Sequence, residues 1–334
     1  MNVTKILQGH GSGGKLMNEM ISRIIVKTLG PSSIQLDDSA VLEIPSSRIA
    51  FTTDTFTITP IFFPGGDIGR LAVNGTVNDL AVMGARPMYL SCALVLEEGL
   101  DFEELEAILT SMKREADLAG VQIVTGDTKV VPRGKADRIF INTTGIGVFT
   151  GAAGRAEIVP GDKIIINGTI GDHGMAVMAK RNSLSFSSPL ESDCMHLNHL
   201  ILSLTEAFPE SVKFMRDPTR GGVASVLNEI VQGKNFGAML IEDDLPVKEP
   251  VRGACEILGL DPLYVANEGK VLVVIENGKA DAAIELMRSR PEGVNAAIIG
   301  EMIGDFQGKA LVRTSIGGRR MLPLLIDEQL PRIC

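Results

Sequence analysis

Met88-Tyr-Leu-Ser-Cys-Ala-Leu-Val-Leu96, then Asp101-Phe-Glu-Glu104 with the repeat that follows it to Gly120, then Val121-Gln-Ile-Val124, decide the fold class of this chain. The first and last runs hold apolar and β-branched residues between turn formers, which suits strands. The middle one opens on Asp101 with Glu104 three residues later, a capping pair that predicts a helix running toward Gly120. Strand, helix and strand in succession call for helices layered on a sheet. The alternation continues outward. Upstream, Leu16, Met20, Ile21, Ile24, Ile25 and Leu29 keep helical spacing as far as Gly30-Pro31, and Arg48 to Thr53 reads as a strand. Downstream, Arg138 to Phe149 is a strand, and Gly151 to Gly161, with three Gly, three Ala and one Pro, marks a boundary. Beyond it strands are predicted over Lys163 to Asn167, Gly237 to Glu242 and Leu263 to Ile275. Helices are predicted over Leu197 to Phe208, Thr219 to Val231 and Lys279 to Ser289. The alternation favours α/β or α+β sandwich layers.

A chain of 334 residues, 45% of them hydrophobic, buries a large core in two domains and is too apolar to be disordered. Thirty-two Lys and Arg against 41 Asp and Glu leave a net charge of −9, the wrong sign for a footprint on a phosphate backbone. Twelve Phe, two Tyr and no Trp leave few rings for stacking bases. No apolar run approaches the roughly 18 residues of a membrane span, and Met1 to His10 lacks the basic start and apolar stretch of a signal peptide. The expectation is a cytoplasmic enzyme without membrane or nucleic-acid partners. Cys92, Cys194, Cys255 and Cys334 are too few and too widely spaced for a disulfide framework, so reduced thiols are expected.

Gly9-His10-Gly11-Ser12-Gly13-Gly14-Lys15 is poor in side chains, so its backbone N–H groups can close around phosphate oxygens at the start of the following helix. The stretch nearly fits a Walker A loop, but Leu16 stands where that loop places its Mg²⁺-binding hydroxyl, so it fits the motif poorly. A phosphate loop and a flexible N-terminal tail both remain open. Asp37-Asp38, Asp54, Asp79 in Asn78-Asp79-Leu80-Ala81, and Asp127 in Gly126-Asp127-Thr128-Lys129 each border an apolar run. Singly each suits a cap or turn. Together they are hard oxygen ligands of the kind that hold Mg²⁺ against nucleotide phosphates. In Arg216-Asp217-Pro218-Thr219-Arg220-Gly221-Gly222, Asp217 or Thr219 can cap a helix, and the paired glycines allow close backbone approach to a ligand. Asn267-Glu268-Gly269 interrupts an apolar strand, either as a bulge or as a general base whose pKa burial raises.

Cys194, His196 and His199 have metal-ligand spacing, whereas Ser192-Asp193 before them reads as a helix cap. His173 opens a short helix, facing either a cleft or the surface. Cys334, last in Pro331-Arg332-Ile333-Cys334, is no prenylation box, which needs its Cys fourth from the end. It is either a covalent carrier or an incidental residue.

Six of these stretches together resemble the HypE family of hydrogenase maturation proteins, in the superfamily of aminoimidazole ribonucleotide synthetase, selenophosphate synthetase and thiamine-monophosphate kinase. They are His10 to Lys15, Asn78 to Pro87, Gly126 to Val130, Asp217 to Gly222, Ala266 to Lys270 and Pro331 to Cys334. The resemblance spans the whole chain, and its ending separates HypE from the other members. It implies an α+β fold of two α/β-sandwich domains like those of aminoimidazole ribonucleotide synthetase: residues 1–153, binding ATP and forming a homodimer, and residues 154–326. A mobile tail, 327–334, carries the cysteine. It further implies ATP-dependent dehydration of a carbamoyl group on Cys334 to a thiocyanate, the cyanide donor for the iron of [NiFe]-hydrogenase. The carbamoyltransferase HypF would load Cys334 and a HypC–HypD complex would accept the cyanide. Carried over residue by residue, Cys334, Glu268 and Lys129 are catalytic, with Glu268 the base and Asp217 and His173 its alternatives. His10, Gly11, Ser12, Gly13, Gly14, Lys15, Asp38, Asp54, Asn78, Asp79, Asp127 and Thr128 hold ATP, and Asp38, Asp54, Asp79 and Asp127 hold Mg²⁺.

Overall fold

The computed structural model describes residues 4–11, 15–29, 42–46, 48–149, 156–184, 188–325, 330 and 332–334. The predicted first helix is α1 (Lys15–Met20), continued through a π-helical stretch at Ile21–Val26 into α2 (Lys27–Leu29). There follow β1 (Ile49–Phe56), the two-residue strands β2 (Phe62–Phe63) and β3 (Gly66–Asp67), α3 (Ile68–Val82), β4 (Ala85–Glu97), α4 (Phe102–Ala119), β5 (Gln122–Val131) and β6 (Ile139–Phe149). The long strands form one sheet in the order β1-β6-β4-β5. β4 and β5, joined through α4, run parallel, and the other pairs are antiparallel. α4 turns Leu105, Ile108, Leu109, Met112 and Ala116 inward at helical spacing and ends on Gly120, whose left-handed φ of 71° lets its N–H cap the last turn. Asp101 is the N-cap by position, but its carboxylate accepts from Lys5 Nζ instead of capping, and Glu104 pairs with Arg138.

The second half builds β7 (Lys163–Ile166), α5 (Asp172–Arg181), α6 (Asn198–Ala207), β8 (Val212–Arg216), α7 (Gly222–Val231), β9 (Gly237–Ile241), α8 (Glu249–Leu258), β10 (Leu272–Ile275), α9 (Ala280–Arg288), β11 (Ala297–Ile303), β12 (Ala310–Arg313) and β13 (Arg319–Met321). Its sheet runs β13-β12-β9-β11-β7-β10-β8. β7 lies in the sheet interior: Ile164 and Ile166 pack with Val223 and Leu227 of α7, and Ile165 packs on the other face with Leu200 of α6 and Met287 of α9. A strand covered on both faces has no reason to alternate in polarity.

Three expectations for the second half change. The strands expected over Leu263 to Ile275 reduce to Leu272–Ile275, because side chains replace the ladder before it. Asp193 takes the Glu268 N–H at 3.3 Å, Asn167 takes the Val271 N–H at 2.8 Å, and Pro218 O accepts from the Asn267 N–H at 3.1 Å. The helix expected from Thr219 starts at Gly222, capped by Gly221 without a side-chain bond. Gly222 is required by packing: a Cβ there would stand 2.5 Å from Leu263 O and 2.7 Å from Val265 O. Ser192-Asp193 caps no helix, since α6 begins after Leu197. The expected domain boundary at 153/154 lies outside the described residues.

Candidate active site at the junction of the two sheets

β1 sends its even-numbered side chains toward α3. Thr52 Oγ1 donates to Asp79 Oδ2 at 2.9 Å. One turn before Asp79, a Cβ on Gly75 would meet the Phe56 ring at 2.9 Å and Asp54 Oδ2 at 3.8 Å, so the helix lies against the strand where Asp54 projects. From the second domain, Asp217 and Glu268 join these two carboxylates. Burial pushes Asp54 and Asp79 above the ordinary range, and the Asp54 charge adds to the shift at Asp79. Asp217 is pushed up to about 7 by burial and then by Asp79 and Asp54. Glu268 rises well above its usual value through burial and the charges of Asp217, Asp193, Asp54 and Asp79. It is 4% exposed, and its Oε1 has no hydrogen-bond partner.

The Glu268 main chain is fixed from two sides. Asp193 accepts from the N–H groups of Glu268 and Gly269, both at 3.3 Å, and pairs with Lys270 at 2.9 Å. Burial alone would raise Asp193, but the Lys270 ammonium and the backbone donors bring it below its ordinary value. The Asn78 amide donates to Glu268 O at 3.4 Å and Met195 O at 3.0 Å, and its Oδ1 accepts from the Leu197 N–H at 2.8 Å. Asn78, expected to bind nucleotide, here ties α3 to the second domain and holds the Glu268 loop.

The other expected ligands are more scattered. Ser12, Gly13, Gly14 and Asp38 lie outside the described residues, as does the side chain of Lys15. His10 is buried edge-on to Phe102 at 5.1 Å, and its Nδ1 accepts from the Leu7 N–H at 2.9 Å, so it anchors the segment. Gly11 packs on β5: a Cβ there would stand 2.8 Å from Val130 N. That contact sets Gly11 on the strand that carries Asp127 to Lys129. Asp127 lies within β5, opposite Ala93, rather than at a strand end, and Lys129 lies opposite Val95. Both side chains project from the sheet face away from α3 and pair with each other at 2.9 Å, whereas Thr128 turns inward. Within one chain, Lys129 and Asp127 are thus on the far side of the sheet from Asp54. Among the described residues no three His, Cys, Asp or Glu side chains converge closely enough to hold a metal ion.

The zinc-like spacing of Cys194, His196 and His199 does not converge either. The Asn74 amide lies 3.7 Å from Cys194 Sγ, His196 turns toward Glu115 at 3.8 Å, and His199 donates to Leu118 O at 2.9 Å. Burial pushes the Cys92 and Cys255 thiols up to about 12 and Cys194 well above its ordinary value. Of the four free cysteines only Cys334 is partly exposed.

The end of the chain is seated against the first domain. The N–H groups of Thr57 and Thr59 donate to Cys334 O at 3.0 Å and Arg332 O at 3.4 Å. Ile333 is 2% exposed. The Arg332 guanidinium donates to Thr57 O at 3.0 Å and lies 5.6 Å from the Phe140 ring. His173, at the start of α5, faces this seam and not the surface. Sequence reading missed the parts played by Asp193, Lys270, Ser192 and Arg181; the one signal available was Asp193 preceding Cys194 in an apolar setting, which passed for a cap.

Two sandwich domains with a carboxylate cluster at their junction define the class. The model for "AIR synthase related protein, N-terminal domain" matches residues 36–149, and that for its C-terminal domain matches residues 159–313. The carbamoyl dehydratase HypE of Rhodobacter capsulatus is 47% identical, with 99% of this chain and 98% of that protein covered. The crystal structure of a hydrogenase maturation protein HypE in complex with ATP superposes with a TM-score of 0.92 at 44% identity, over 98% of this chain and 99% of that one. HypE in a HypE–HypF complex gives a TM-score of 0.79 at 47% identity, over 92% and 99%. The chain belongs to the HypE family of carbamoyl dehydratases within the AIR synthase related proteins.

Proposed function

We propose that this chain uses ATP to dehydrate an S-carbamoyl group on Cys334 to the S-cyanate, supplying cyanide for the iron of [NiFe]-hydrogenase. The observation that carries the reading is the seating of the chain end: the partly exposed Cys334 is bound at Thr57, one residue beyond the strand that bears Asp54. The ATP-bound relative supports nucleotide binding. Asp54 and Asp79, with Asp38, are the carboxylates that would hold Mg²⁺, whose charge would offset that of the phosphates. The glycine-rich stretch around Gly11 to Lys15 would cover the phosphates and exclude water.

The amide oxygen of the carbamoyl group attacks the γ-phosphorus, ADP departs, and loss of one N–H proton to solvent leaves an O-phosphorylated imidate. Its N–H proton passes to ionised Glu268 as the C–O bond breaks, giving S–C≡N and phosphate. Overall, S-carbamoyl-cysteine and ATP yield S-cyanocysteine, ADP, phosphate and a proton. Lys129 assists by charge. It and Asp127 stand on the sheet face through which a homodimer would form, and that dimer is part of the reading. A HypF-type carbamoyltransferase loads Cys334, a HypC–HypD complex accepts the cyanide, and the setting is the cytoplasm. Mass spectrometry of the C-terminal peptide after carbamoylation is expected to show loss of one water on adding ATP, abolished in Glu268→Gln. A carbamoylated peptide that ATP leaves unchanged sinks the proposal. Removing Cys334 separates it from a small-molecule kinase, which would keep its rate.

A further inference from the structure

His173 is fully buried at the start of α5, and burial pushes its pKa down. Its Nε2 lies 2.8 Å from Ile333 O, an acceptor only, and so donates to it; its Nδ1 is hydrogen-bonded to Ser192 Oγ at 2.8 Å. Ser192 Oγ also accepts from the Cys194 N–H at 3.1 Å. Asp193, between them, is the residue whose carboxylate binds the N–H groups of Glu268 and Gly269. Three consecutive residues, Ser192 to Cys194, therefore link the seat of the chain end to the Glu268 loop by direct hydrogen bonds. One α-helical face further along, Arg181 donates to Arg332 O at 2.9 Å and to Thr59 O at 2.6 Å, fastening both sides of the seam. The seat grips main-chain carbonyls and the buried Ile333 side chain, which stay the same whatever group the Cys334 sulfur carries.

We infer that His173 and Arg181, with Ser192, form a latch that binds the C-terminal segment by its main chain and sets Cys334 in register with Glu268. These are positioning residues, and the inference deepens the carrier reading above. A latch of this kind tolerates the thiol, the carbamoyl and the cyanate forms of Cys334 alike. It also sets how often the segment leaves its seat, because each bond must break before Cys334 can reach another protein.

Amide hydrogen exchange at Thr57 and Thr59 reads the seat without any chemistry at Cys334, since their N–H groups bind Cys334 O and Arg332 O. A chain ended after residue 329 calibrates full exposure. His173→Leu and Arg181→Met are each expected to speed exchange at these amides roughly tenfold, as the loss of one well-placed buried hydrogen bond implies. Exchange in β4 should be unchanged, showing that the fold is intact. His173→Gln, whose amide can donate to Ile333 O, should recover part of the protection. In single turnovers on carbamoylated protein, His173→Leu should lower the dehydration rate at saturating ATP and leave the ATP concentration for half-maximal rate in place. Wild-type exchange at Thr57 and Thr59 in both variants overturns the latch. If wild-type protein failed to dehydrate the carbamoyl group, the function reading would fall while the exchange result still judged the latch.

Discussion

Asp217 and Glu268 carry most of the electrostatic tension of the molecule. With a pKa of about 7 against an ordinary 3.8, Asp217 binds its proton more tightly folded than unfolded. Its contribution is therefore favourable at low pH and is lost as pH rises from about 4 to about 7. Asp217→Asn should raise the melting temperature of nucleotide-free protein by about 2–5 °C at pH 8 and leave it nearly unchanged at pH 4. Thermal scans across pH test this, and an equal shift at both ends would contradict it. Glu268 must be ionised to accept a proton, and its raised pKa means that the dehydration rate climbs with pH above the usual carboxylate range. A flat profile from pH 5 to pH 8 would remove it as the base. The Asp193–Lys270 pair beneath it is 2% and 6% exposed, so Lys270→Met strands a buried carboxylate and should cost about 3–5 kcal/mol in denaturant unfolding.

Elements explain what was legible in the sequence and what was not. α4 announced itself because Leu105, Ile108, Leu109 and Met112 repeat at 3.6 residues and Gly120 stops it. β10 was overextended because the apolar run from Leu263 looks continuous, while its backbone is satisfied by Asn167, Asp193 and Pro218, distant residues that no local pattern reveals. Asp54, Asp79 and Glu268 were recognisable as carboxylates in apolar settings. That Asn78 spends its amide on the second domain, and that Asp127 faces away from Asp54, depend on strand register and on packing across domains. β5 was read as ending near Val124 because Gly126 looks like a breaker. In the sheet that glycine is required by proximity: a Cβ would lie 2.2 Å from Cys92 O on β4. Gly126→Ala should accordingly push β5 off β4 and lower the melting temperature by several degrees, about 2 kcal/mol or more. An unperturbed variant would mean that the two strands yield more easily than their register suggests.

At the scale of the whole molecule, the four-stranded sheet has helices on one face and little on the other. Phe51 is 67% exposed and Ile49 is 44% exposed on edge strand β1, and Asp127 and Lys129 occupy the same face on the opposite edge, β5. An open apolar sheet face with two free edges is a surface that proteins cover. Covering it with a second copy would hide Phe51 and bring Asp127 and Lys129 to the dimer seam, whereas the chain-end seat at Thr57 would be retained within each copy. Phe51→Asp places a charge at the centre of that apolar patch, where burial without a partner costs several kcal/mol. Sedimentation velocity at micromolar concentration should therefore show a dimer for the wild type and a monomer for Phe51→Asp. The monomer should keep wild-type hydrogen exchange at Thr57 and Thr59 yet lose ATP-dependent dehydration of carbamoylated Cys334, because Lys129 acts from the seam. A monomeric variant with full turnover would confine the reaction to one chain and remove Lys129 from it, and a variant still dimeric would move the interface to another face.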